Sequence, residues 1–158
     1  MLLCACMHST KEVGVVSPQK TSVVVDAEIQ LDPDSNHFDY GVLIVSLYEY
    51  DQRLADVAAS LVESRQAEVS YTRGSEPFSV VYTLGSGSEK KEHKRYYLVA
   101  VINNRNGVRT HYGYKNGTEG FAKISEGSSE VKMLLRQIRR REPSVDEKMP
   151  NAAFNTIP

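Results

Sequence analysis

Tryptophan is absent from this 158-residue chain, and cysteine nearly so: both thiols, Cys4 and Cys6, fall within the first six positions. The body of the chain therefore holds no internal disulfide and must rest on its own apolar core, for which 158 residues in one domain suffice. No apolar run approaches the roughly 18 residues that a membrane-spanning helix needs. Charge of one sign is lacking too: nineteen Lys and Arg against twenty Asp and Glu leave a formal net charge of −1. No overall field favours nucleic acid, and no nucleic-acid partner is expected. The four histidines, His8, His37, His93 and His111, stand in a polar leader, a turn, a charged loop and a strand, without the spacing that closes a metal shell. Each is expected at the surface, and no metal is expected. A Gly-X-Ser-X-Gly nucleophile elbow is missing. Gly85-Ser86-Gly87-Ser88 lacks the Lys-Ser/Thr that follows a phosphate-binding loop and reads as a flexible hairpin loop. No catalytic residue, enzymatic activity or cofactor is therefore expected; His111 would have to meet an acid such as Glu119 and a serine in one cleft to reverse that.

What the chain does have is strands. Residues 41–52, GVLIVSLYEYDQ, read as a buried strand with Leu43, Val45 and Leu47 on one side and Val42, Ile44, Tyr48 and Tyr50 on the other. Further strands are predicted at 21–31, 56–67, 76–84, 95–103, 108–114 and 129–138. The segment 56–67 also suits a helix by composition, but its period of two favours a strand. Asp32-Pro33-Asp34-Ser35-Asn36 marks a turn, and Asn106-Gly107 closes a hairpin between the fifth and sixth strands. About seven strands without βαβ alternation indicate an all-β fold with no parallel pairing: an antiparallel β-sandwich or partly closed barrel over residues 21–138. Residues 1–20 are expected to form a lipobox-like leader and flexible tether. Residues 139–158, with Arg139-Arg140-Arg141 and three prolines, are expected to form a disordered tail.

Two features hint at attachment and recognition. Leu3-Cys4-Ala5-Cys6 resembles a bacterial lipobox, with Cys6 as the lipid acceptor. Only Met1, Leu2 and Leu3 precede Cys4, where a secretory signal needs a basic region and roughly 7–15 apolar residues. The expectation is a true start upstream; the alternative is a coincidence in a cytoplasmic N-terminus. On the predicted hairpin, Tyr96, Tyr97, Tyr112 and Tyr114 form an aromatic group that could bind a ligand or partner. Alternation places Tyr97, Val99 and Val101 opposite Tyr96, Leu98, Ala100 and Ile102, so one set belongs to the core. Lys90, Lys91, Lys94 and Arg95 are expected as solvated surface charge.

Taken in order, VVVDAEIQL, VLIVSLYEYDQRLADVAASLVES, EPFSVVYTL, KRYYLVAVINNRNGVRTHYGY and SEVKMLLRQI resemble the YbaY / YscW family of small bacterial lipoproteins. The matching elements are Val45-Ser46-Leu47 with Asp51, Leu54-Ala55-Asp56, Pro77-Phe78, and Tyr97 running to Gly107. The resemblance implies a periplasmic β-sandwich, lipid-anchored to the outer membrane, that binds a protein or envelope component. In the YscW branch the implied role is a pilotin escorting a secretin. No catalytic residue is carried over. The alternative function is a small-ligand or carbohydrate-binding module using the Tyr-rich hairpin.

Overall fold

The computed structural model describes residues 22–54, 56–125 and 129–139; the predicted leader with Cys6, and the tail after Arg139, lie outside them. Nine strands follow in chain order: β1 (Val25–Leu31), β2 (Phe38–Asp51), β3 (Ser60–Tyr71), β4 (Ser79–Leu84), β5 (Lys94–Asn103), β6 (Arg109–Lys115), β7 (Thr118–Glu119), β8 (Ala122–Lys123) and β9 (Glu130–Gln137). The long strands coincide with β-branched and aromatic runs, whose side chains fit a pleated surface. The two-residue β7 and β8 are additions to the seven expected. The two predicted turns are present: Asp32 Oδ1 accepts the Asp34 N–H, and Gly107 takes φ +73°, while Asn104, not singled out from sequence, accepts the Asn106 and Val108 N–H groups through Oδ1.

The seven long strands form one nearly closed, barrel-shaped sheet in the order β3-β2-β5-β6-β9-β1-β4, with β7 paired to β6 and β8 to β5. One pairing corrects the sequence reading. β1 and β9 run parallel, Ala27 opposite Val131 and Ile29 opposite Met133. A parallel neighbour needs a long crossover, not specifically a helix; here residues 32–129, most of the domain, supply it.

Alternation sends every second side chain inward. Val25, Ala27, Ile29 and Leu31 of β1, Leu43, Val45 and Leu47 of β2, and Val131, Met133 and Leu135 of β9 are all buried. So are Tyr96, Leu98, Ala100 and Ile102 of β5. Across β2 and β5, Leu47 lies opposite Leu98, Val45 opposite Ala100 and Leu43 opposite Ile102. Residues 41–52 are thus buried fully on one face only; Val42, Ile44, Tyr48 and Tyr50 point outward and are half-buried.

His111 corrects another expectation. It lies opposite Ile102 on the inner face and is 2% exposed, with the Phe38 ring 5.2 Å away. The Thr110 hydroxyl donates to the Ile102 carbonyl and lies 3.0 Å from His111 Nδ1, so Nδ1–H is the donor of that pair. Nε2 has no hydrogen-bond partner among the described residues. Burial pushes the imidazole pKa down from 6.5 to about 4, because charging it would bury an unpaired cation.

The sheet's two ends, β3 and β4, meet at a seam that Gly85 and Glu63 close: the Gly85 N–H donates to the Glu63 carboxylate at 2.6 Å. Gly85 has φ +80°, and a Cβ there would overlap the Val23 carbonyl oxygen. The Gly85–Ser88 segment is not the hairpin loop expected, since β4 pairs with β1 and β5 with β2. It is a tight crossing turn, in which the Ser88 N–H donates to Gly85 O and Ser88 O accepts from Val23 N–H.

Two stability experiments follow. Gly85→Ala should cost at least about 2 kcal/mol in urea unfolding, from strain and overlap together. Gly87→Ala, with no described residue within 4 Å of its added Cβ, should change stability by less than about 0.5 kcal/mol. Because the folded pKa of His111 lies below its unfolded value, stability should be full above pH 6.5 and fall between 6.5 and 4, by up to about 3 kcal/mol. Below pH 4 the His111 contribution levels off. Unfolding of His111→Phe across the same range should lack this component; an equal slope in both proteins would refute its assignment to His111.

Candidate functional site

The alternation that fills the core also builds a row on the barrel's outside. Tyr48 of β2 lies opposite Tyr97 of β5, Tyr97 opposite Lys123 of β8, and Tyr48 opposite Leu61 of β3. One transverse line, Lys123-Tyr97-Tyr48-Leu61, thus crosses four strands. A bulge between Leu47 and Tyr48 brings Leu61 into this outward register. The Tyr48 and Tyr97 rings stack at 5.2 Å and 12°. Tyr50 tilts against Tyr97 at 5.9 Å, and Phe121, just before β8, meets Tyr97 edge-on at 5.8 Å. Burial first, then the neighbouring Tyr48 and Tyr50, raises the Tyr97 pKa.

Much of this surface is open to solvent. Leu61 is 57% exposed and Phe121 36%, and beside them in the β2–β3 connection Leu54 and Val57 are 50% and 62% exposed. A hollow of about 350 Å³ is lined by Tyr50, Tyr97, Phe121 and Lys123. A second, of about 520 Å³, shares Tyr50 and Lys123 and runs on to Asp51, Gln52, Leu54 and Val57. The Asp51 carboxylate accepts from the backbone N–H, Nε and Nη2 of Arg53, whose hydrogen bonds hold its pKa far below the usual carboxylate range. Lys123 has no ion pair among the described residues.

The four tyrosines proposed from sequence do not form one site. Tyr96 is 7% exposed and faces the core, its hydroxyl near the Lys91 N–H at 3.5 Å. Tyr97 is the centre of the outer row. Tyr112 and Tyr114 are also outward but are engaged elsewhere: the Tyr112 hydroxyl donates to Glu119 at 2.9 Å, and the Arg136 guanidinium lies 3.8 Å over the Tyr114 ring. Tyr112 borders a polar hollow of about 590 Å³ with Asp32, Asp34, Ser35, Glu119 and Arg136 among its walls. Inward His111 and outward Glu119 do not converge. Among the described residues no group of three or more His, Cys, Asp or Glu could hold a metal ion.

Sequence reasoning missed Tyr48, Tyr50, Leu61, Phe121 and Lys123 as site residues. The alternation of residues 41–52 gave a signal for the first two, an apolar second face with no assigned partner. Phe121 and Lys123 sit at a strand too short to leave a pattern.

No family model matches the chain, and no curated protein matches it. Among solved structures, the chain is similar to an alternative pilotin from the type II secretion system of Vibrio cholerae, at 20% sequence identity and a TM-score of 0.50, over 76% of this chain and the whole of that one. At that identity the likeness is one of fold: this chain has a pilotin-like β-barrel.

Proposed function

We propose that this chain is a non-enzymatic, pilotin-like protein-binding module of the YbaY / YscW type. It is held at the outer membrane from the periplasmic side by a lipid on Cys6, and its outer aromatic row receives a segment of a secretin-type envelope protein. The observation that carries the reading is the open row Lys123-Tyr97-Tyr48-Leu61. An exposed strip of aromatic and aliphatic side chains rimmed by polar residues suits a protein interface. The row crosses three strand spacings, about 14 Å, the length of about nine helical residues. An amphipathic helix of two to three turns, with anchors at i, i+3 or i+4 and i+7, matches it. The pilotin-like fold and the Leu3-Cys4-Ala5-Cys6 sequence add support.

The anchor is tested by expressing the gene with its upstream DNA and labelling cells with a palmitate analogue. Label on the wild type, absent from Cys6→Ala, is the expected result; equal labelling of both would remove Cys6 from the proposal. Binding is tested with overlapping peptides from the host's secretin, using calorimetry. Leu61→Glu, at an exposed position, should weaken the binding peptide at least tenfold while leaving the melting temperature nearly unchanged. A peptide bound equally by both proteins would place the interface elsewhere.

A further inference from the structure

Lys123 lines three adjoining hollows. It shares one with Tyr50, Tyr97 and Phe121, a second with Tyr50 and Leu54, and a third, of about 370 Å³, with Phe121 and Lys115. Among the described residues no carboxylate lines the first or third, and the one in the second, Asp51, is spent on Arg53. The groove is therefore apolar along Tyr50, Tyr97, Phe121, Leu54 and Val57 and positive at its centre, with Lys115 extending that sign along a side that Asn116, Thr118 and Ser125 make polar. An apolar segment laid here would strip water from the Lys123 ammonium, a cost met by an opposite charge and worsened by a like one.

We infer that the segment this groove receives carries an Asp or Glu within one helical turn of its main apolar anchor, so that the carboxylate pairs with Lys123 while the anchor seats against Tyr50, Tyr97 and Phe121. The inference deepens the partner-binding reading and rests on it. Aromatic walls alone accept many apolar segments. Lys123 makes the choice among them, disfavouring neutral segments and repelling basic ones, as charge at interfaces commonly sets specificity more than raw affinity.

The test is selection of displayed 16-residue random peptides on the intact chain, with Lys123→Glu, Lys123→Gln and Leu61→Glu as parallel baits and thermal melts to confirm folding. Peptides enriched on the wild type should pair an aromatic or Leu anchor with Asp or Glu within four positions. A synthetic copy should bind Lys123→Gln about tenfold more weakly, lose affinity as salt rises, and bind Leu61→Glu poorly. On Lys123→Glu the enriched peptides should carry Lys or Arg at the acidic position. Enrichment that depends on Leu61 but is indifferent to Lys123 would overturn the charge inference and leave the partner-binding reading standing. No enrichment, or enrichment that ignores both residues, would overturn both.

Discussion

Period-two alternation along β2 and β5 is the constraint on which both the core and the candidate site depend. Leu43, Val45 and Leu47 meet Ile102, Ala100 and Leu98 inside, and the same register sets Tyr48 against Tyr97 outside. A slip of one residue would exchange the two faces, exposing leucines and burying phenols. Core packing therefore fixes the geometry of the outer row. A surface whose strands are already held in register by the core loses little conformational freedom on binding.

Polar groups follow a similar division. The outer faces of β1 and β9 carry ion pairs such as Glu28 with Lys132, and Asp32 lies near Arg136. These sit in high dielectric and contribute little to stability. The inward exceptions are few. His111 stays neutral among Phe38, Thr110 and Ile102, and Glu63 sits at the seam, where a backbone N–H and Arg65 answer its charge. The aromatic row differs from both settings, being neither solvated by charge nor closed by packing.

Much of the architecture was legible in the chain because strand signals are local. The alternating run 41–52, the Asn106-Gly107 turn and the paired strands around it are inscribed in neighbouring residues, and each stands where expected. The parallel partnership of β1 and β9 was not legible, since nothing near residues 25–31 refers to residues 130–137. His111 was misassigned because histidine is intermediate in burial preference, and its position opposite Ile102 emerges only from strand pairing. The site was half visible for the same reason. Tyr97 was singled out, but its companions come from three other strands, and Lys123 reaches it through a two-residue pairing that no sequence period reveals.

The parallel joint between β1 and β9 also has a temporal side. Some hundred residues, 32–129, separate the two strands, so β1 waits for its neighbour until nearly the whole domain has been synthesised. At roughly 5–20 residues per second that delay is about 5–20 s. Before β9 arrives, the sheet is two fragments, β3-β2-β5-β6 and β1-β4, with an unfinished interior between them. Until β9 is made, the edges of β6 and β1 that it joins both lack their partner strand.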